Sequence, residues 1–209
     1  MPKVFESLFI LALDEDEGYI VESVLDNLEA ALAGAVLVEL ALQERIELRD
    51  SRVLVSNQFR TGHPILDKGL YDILHETRLR KPRYWINTLA CKKLFKEIGY
   101  DLVDQGVLSR NKKRLRLVDT SGVDQAPIPS LKYSIKSHLR EIVLAGGTLE
   151  LADQVLLSFL YHTDLLRLVF TDMECKTASK TIKKLLKGGQ GNGGLSEILQ
   201  TIVVAAGRR

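Results

Sequence analysis

Apolar residues along most of this chain recur at intervals of three and four, the spacing that lines one face of a helix. The pattern is clearest where Val24, Leu25, Leu28, Ala31, Leu32, Ala35, Val36 and Val38 follow one another. From Ala30 to Leu42 apolar residues become so dense that the segment belongs at the centre of a core. Gly34 lies inside it; glycine is on the order of 1 kcal/mol worse than alanine in a helix, yet it permits close approach of a neighbour. Upstream, "ESLFILALDEDEG" reads as a short helix or a strand ending at Gly18, and the pattern alone does not choose. Downstream the period changes to two. Ile46 and Leu48, then Val53 and Val55, alternate on either side of "RDS", which predicts a two-stranded hairpin.

Helical spacing resumes at "PILDKGLYDILHE", with Pro64 at a plausible first helical position. It continues through Trp85, Leu89, Leu94, Ile98 and Leu102. Lys81-Pro82 separates the two helical stretches, and the reading leaves room for a break within Cys91 to Lys93. Gly106 then stops the helix. "VLS" and "RLRLVD" alternate as a second hairpin, with Asn111 and its basic neighbours in the turn. Residues 122–129 read as a loop. The rest is helical: "SLKYSIKSHLREIVLAG" ends at a glycine pair, and "TLELADQVLLSFLYHTDLLRLVF" is apolar around most of its circumference, as a wholly interior helix would be. "ASKTIKKLLKG" is amphipathic and basic, and "LSEILQTIVVAA" closes the chain. No repeat or domain boundary is visible. The expectation is a mainly α, single compact helical domain over residues 1–209 with small β-hairpins, and a Gly-rich linker at 188–194 before the C-terminal helix.

Charge changes the picture more than composition does. The chain has 209 residues, 45% of them hydrophobic and 27% charged, which is ordinary for a folded domain. The net charge of +2 is unevenly placed: residues 1–50 hold twelve acids against three bases, so the remainder carries +11. Such polarity suits phosphate-bearing partners, either nucleic acid or an anionic membrane. Cys91 and Cys175 offer neither a disulfide framework nor metal-ligand spacing, so a reducing, cytoplasmic setting is the simpler expectation. The opening residues do not read as a signal peptide, and no stretch approaches the roughly 18 apolar residues that span a bilayer.

Chemistry has little material. His63, His75, His138 and His162 are scattered outside any triad or metal motif, and His162 reads as a satisfied structural histidine within an apolar helix. Glu39, between Val38 and Leu40, must reach water or a partner, and a salt bridge or surface position suits it better than acid catalysis. "DEDE" at 14–17 lacks the twelve-residue calcium loop pattern. "GGQGNGG" lacks the lysine and hydroxyl of a phosphate-binding loop. No enzyme, cofactor or metal is expected.

Binding has more. From Arg110 to Arg116, five of seven residues are basic: Arg110, Lys112, Lys113, Arg114 and Arg116. Near an anionic surface each contributes roughly 1 kcal/mol; otherwise the set is a solvated turn that keeps a strand edge from pairing. Lys176, Lys180, Lys183, Lys184 and Lys187 point outward if Ile182, Leu185 and Leu186 pack on the body, although the segment also suits a membrane-interface helix. A helix near 86–104 followed by a basic wing is similar to winged-helix DNA readers. Against that, Glu97, Asp101 and Asp104 offset Lys92, Lys93 and Lys96.

Several segments in order, "EGYI", "GAVLVELALQERIEL", "WINTL", "LVDQGVLS", "LLRLVF", "ASKTIKKLL" and "EILQTIVVAA", resemble the Golgi phosphoprotein 3 family, also called the GPP34 domain. The resemblance covers nearly the whole chain, which looks similar to the family's shorter prokaryotic relatives. It implies one compact, largely helical domain with small hairpins. It also implies peripheral binding to phosphatidylinositol 4-phosphate and to short cytosolic tails of membrane proteins, with self-association through the second hairpin. The family's headgroup positions, carried onto this chain, fall on Ser23 or Val24 for an aromatic, and on Ala33, Lys92 and Phe95 for arginines. Only Lys92 keeps a charge, and lysine lacks the planar fork that grips phosphate with two bonds.

The expected function is therefore that of a non-enzymatic peripheral protein on the cytosolic face of a membrane. It recognises anionic phospholipid through Lys92, Lys93, Lys96, Arg110, Lys112, Lys113, Arg114 and Arg116. The alternatives are an interaction or oligomerisation module and, against the acidic residues noted above, a nucleic-acid binder.

Overall fold

The computed structural model describes residues 2–14, 20, 24–90, 92–111, 114–117, 131–188 and 193–207. The ambiguity at the start resolves as a helix, α1 (Val4–Ala12), buried along its entire length. A helix with no exposed face must satisfy its end groups inside the protein. Glu6 reaches back to accept the Lys3 N–H at 2.7 Å, and Glu39 accepts the Val4 N–H at 2.8 Å. At the other end, the Lys132 ammonium donates to the carbonyl of Leu13.

The central helix is α2 (Leu25–Leu42), in which every residue from Ala31 to Ala41 is buried. It packs against α1, against α3 (Pro64–His75) and α4 (Pro82–Leu89), and against α9 (Gly193–Gly207). Gly34 makes that crowding possible. A Cβ there would lie 2.8 Å from the Phe159 ring and 3.2 Å from the Cβ of Ala206, so a helix from each of two directions closes on this point. Gly207 serves the same end more severely, because a Cβ would collide with the carbonyl of His162.

After α2 the expected hairpin forms from β1 (Ile46–Arg49) and β2 (Arg52–Val55), with Ile46 opposite Val55 and Leu48 opposite Val53. Asp50 and Ser51 both take positive φ, 51° and 57°, the paired left-handed geometry of a two-residue turn. β2 also accepts a connection from the far side of α3, where the Val53 N–H donates to the Arg80 carbonyl at 2.8 Å. Pro64 and Pro82 occupy first-turn positions of α3 and α4. α4 gives way at Ala90 and α5 (Lys92–Asp104) starts soon after, with Lys92 and Lys93 already helical, so the interruption falls just before the Lys92–Lys93 part of the expected window.

α5 stops as the glycine suggested. Gly106 has φ 73°, its N–H donates to Val103, and the Val107 N–H donates to Leu102. This pair of bonds closes a helix with a left-handed residue after its last turn. The chain then enters β3 (Leu108–Asn111), which pairs antiparallel with β4 (Arg114–Leu117). The loop expected at 122–129 and the turn residues Lys112 and Lys113 lie outside the described residues. α6 (Leu131–Arg140) runs into a π-helical turn over Glu141–Ala145 and ends at Gly146, φ 80°.

The interior helix expected through Phe170 is shorter. α7 covers Leu151–His162, and the apolar segment after it forms a 3-10 turn over Leu166–Leu168. The cause is local. The Thr163 hydroxyl turns back to the Phe159 carbonyl at 2.6 Å, and Asp164 takes a left-handed φ of 58°. Leu165, Leu166, Leu168, Val169 and Phe170 are buried all the same, so periodicity reported their burial while helical continuity failed. α8 (Asp172–Gly188) begins before "ASKTIKKLLKG" and buries Ala178 and Ile182, leaving Lys176, Lys180, Lys183 and Lys184 exposed. That is the arrangement of a helix packed on the body. Gly193 and Gly194 of the expected linker already belong to α9. The fold is mainly helical with two small antiparallel hairpins.

Candidate functional site

Lys93 and Lys96 lie on the face of α5 opposite Leu94, Ile98 and Leu102, which are buried. Lys93 and Lys96 are exposed. Lys93 comes within 3.8 Å of Glu97, which Lys68 also engages at 2.7 Å. This acid therefore takes part of the local charge, whereas Lys96 makes no ion pair among the described residues. Lys92 is the first residue of α5, and its side chain is not described. Helix and hairpin are joined by the tight turn at Gly106, and α5 packs against β3. The pairing sets Arg116 opposite Ser109, Arg110 opposite Leu115 and Arg114 opposite Asn111. Leu108 is buried and Ser109 exposed, so β3 has an inner and an outer face. Lys112 and Lys113 fall outside the described residues.

Of the positions that the resemblance assigns to a headgroup clamp, Ala33 and Phe95 pack into the body of the protein. Ala33 is fully buried within α2. Phe95 is half-buried, with its ring 4.8 Å from that of Phe9. Val24 is half-buried, and Ser23 lies outside the described residues. A hollow of about 200 Å³ between α2 and α4 is lined by Asp26, Glu29, Arg83, Asn87 and Ala90 among others. Two carboxylates and a single arginine do not make a phosphate cradle, and the arginine is already engaged: its Nη1 donates to the Ala205 carbonyl at 2.7 Å.

A second constellation was not legible in the sequence. Glu6 of α1, His63 before α3 and Asp101 of α5 bring ligand-type atoms within 4.8 Å of one another. His63 Nε2 lies 3.2 Å from Asp101 Oδ2 and 3.5 Å from Glu6 Oε1. The Gln105 amide donates to those same two oxygens, at 2.7 and 3.2 Å. Burial works to raise the Glu6 pKa. The contact with His63, the Lys3 N–H, the Gln105 amide and the Lys3 charge outweigh it and hold the carboxyl down to about 2. Glu39, one contact away at the head of α1, moves in the opposite direction. Its burial raises the carboxyl, and the Val4 N–H and Lys3 charge only partly offset that. The expectation that Glu39 needs a partner is met by a backbone amide instead of an ion pair.

The other histidines are accounted for locally. His162 Nδ1 is 2.9 Å from the Ser158 carbonyl, and His75 stacks on Tyr71 with ring centres 3.9 Å apart. His138 Nε2 lies 3.0 Å from the buried Asp153. Among the described residues no helix is long and apolar enough to cross a membrane.

Compared with known families, the chain matches the model described as Golgi phosphoprotein 3 (GPP34) over residues 4–205. The match begins at the first residue of α1 and ends inside α9, so it takes in the whole helical body and both hairpins. With this extent of match and a mainly helical fold carrying two hairpins, the chain belongs to the Golgi phosphoprotein 3 (GPP34) family, a family without catalytic activity.

Proposed function

We propose that the protein is a peripheral membrane component that meets anionic phospholipid through α5 and the β3–β4 hairpin, attracted by charge and without a headgroup clamp. One observation carries the reading: the Gly106 turn joins the helix bearing Lys92, Lys93 and Lys96 directly to the strands bearing Arg110, Arg114 and Arg116. Lys112 and Lys113 fall between those strands in sequence. Arg116 pairs opposite the exposed Ser109, and Arg114 stands two residues before it in β4. Several lysines and arginines worth roughly 1 kcal/mol each near an anionic surface suffice for reversible attachment. The buried Ala33 and the Phe95–Phe9 contact argue against selectivity for phosphatidylinositol 4-phosphate. On this reading the protein works at the cytosolic face, where anionic lipid is concentrated.

Vesicle sedimentation at physiological salt tests it. Recovery with phosphatidylserine-containing vesicles should exceed recovery with neutral vesicles, and a Lys96→Glu, Arg114→Glu, Arg116→Glu variant should lose most of the difference. Phosphatidylinositol 4-phosphate should match phosphatidylserine at equal surface charge. Equal recovery on neutral and anionic vesicles would end the proposal, and a strong preference for the phosphoinositide at matched charge would replace it with a headgroup-specific one.

A further inference from the structure

We infer that Glu6, His63 and Asp101 form a binding site for a borderline divalent metal of the zinc type, clamping α1, the segment before α3, and α5 together. The donor geometry is the first support. A tetrahedral shell with bonds of about 2.0–2.2 Å puts neighbouring ligand atoms roughly 3.4 Å apart. Here Nε2 of His63 stands 3.2 and 3.5 Å from one oxygen of each carboxylate, and all three atoms fall within 4.8 Å.

The imidazole supplies the second, independent support. The His63 side chain is nine-tenths buried, and neither of its ring nitrogens makes a properly directed hydrogen bond. A buried polar group with no directed partner is costly in water-free surroundings. Nε2 nevertheless lies within 3.5 Å of an oxygen of each carboxylate, close enough for one cation to bridge all three atoms.

The surroundings favour a built site over a chance meeting. Glu6 is fixed from behind because its other oxygen accepts the Lys3 N–H. Gln105 holds the two facing oxygens together from outside, the way second-layer amides orient metal carboxylates. One nitrogen and two oxygens suit zinc and its neighbours, whereas calcium and magnesium prefer six or more oxygens. Asp101 keeps 16% of its side chain exposed, leaving an entry route and room for water as a fourth ligand. Because the ligands come from positions 6, 63 and 101, binding would fasten three segments that are distant in sequence and stabilise the fold.

The test uses the full chain, stripped with chelator and dialysed, with zinc chloride as the probe. Equilibrium dialysis with metal analysis should give one tightly held zinc per chain, and zinc should raise the melting temperature. His63→Gln and Asp101→Asn should each weaken zinc at least tenfold and abolish the thermal shift, with elution volume and melting checked in zinc-free buffer. Cobalt(II) added to the unmodified protein, a readout independent of any variant, should show visible d–d bands without a thiolate charge-transfer band. No saturable zinc uptake, equal affinity in both variants, or a thiolate band pointing to cysteine would each overturn the inference.

Discussion

A carboxylate in a helix packed on all sides must be neutralised, paired or bonded. Glu39 takes the last course by accepting the Val4 N–H, which would otherwise be a bare donor at the head of a buried helix. Its carboxyl is pushed above the ordinary value of 4.5, first of all by burial. Its charged form is therefore disfavoured by folding: the contribution is most favourable below pH 4.5 and is lost as pH rises through the folded value. Glu6 has the opposite sign. Held down to about 2 against 4.5, it contributes on the order of 3 kcal/mol above pH 4.5, lost as pH falls towards 2. Glu39→Gln keeps an acceptor for Val4 and removes a buried charge, so urea denaturation at pH 7 should find it at least as stable as the parent. Glu39→Leu strands the amide and should lose about 1–3 kcal/mol. The need for a partner at Glu39 was visible from Val38 and Leu40, but the partner was not, because it lies 35 residues away on a helix whose identity was undecided. His63 gave no signal at all. Gly62 and Pro64 flank it, and its carboxylates come from two other elements.

Element by element, legibility followed the strength of the local signal. α2 was readable because its apolar spacing is long and dense, and the two hairpins because alternation meets a turn. α7 was overread. A segment that is apolar around most of its circumference shows no clean polar stripe, so its pattern could not reveal that Thr163 and Asp164 end the helix. Gly34 was read as a point of close approach, and the packing names the neighbours as Phe159 and Ala206. Gly34→Ala would normally favour a helix. Here the new methyl meets a ring at 2.8 Å, so overpacking should win by about 1–3 kcal/mol. A melting temperature equal to or above the parent's would show that the Phe159 ring yields more easily than the packing implies.

Across the whole molecule, charge is segregated along the chain while the core is shared by both ends of it. Residues 1–50 carry a net −9 and the rest +11, so any association through the α5 and hairpin cations is long-ranged and sensitive to salt. Raising ionic strength from low to physiological values shortens the screening length to about 8 Å, and vesicle recovery should fall steeply over that interval; salt-independent recovery would indicate apolar insertion. The order of motifs made this level of organisation legible, because family-like segments recur from "EGYI" to "EILQTIVVAA". Side-by-side placement of individual cations was not, since strand pairing and helix packing decide it. The position of α9 has one more consequence. It covers the Gly34 region of α2 and docks Gly207 against the end of α7, although it is synthesised long after α2. While a ribosome still holds that stretch, α2 has a bare apolar flank. Completion of the core therefore waits until α9 has left the ribosome, and until then the bare flank is exposed to misassociation.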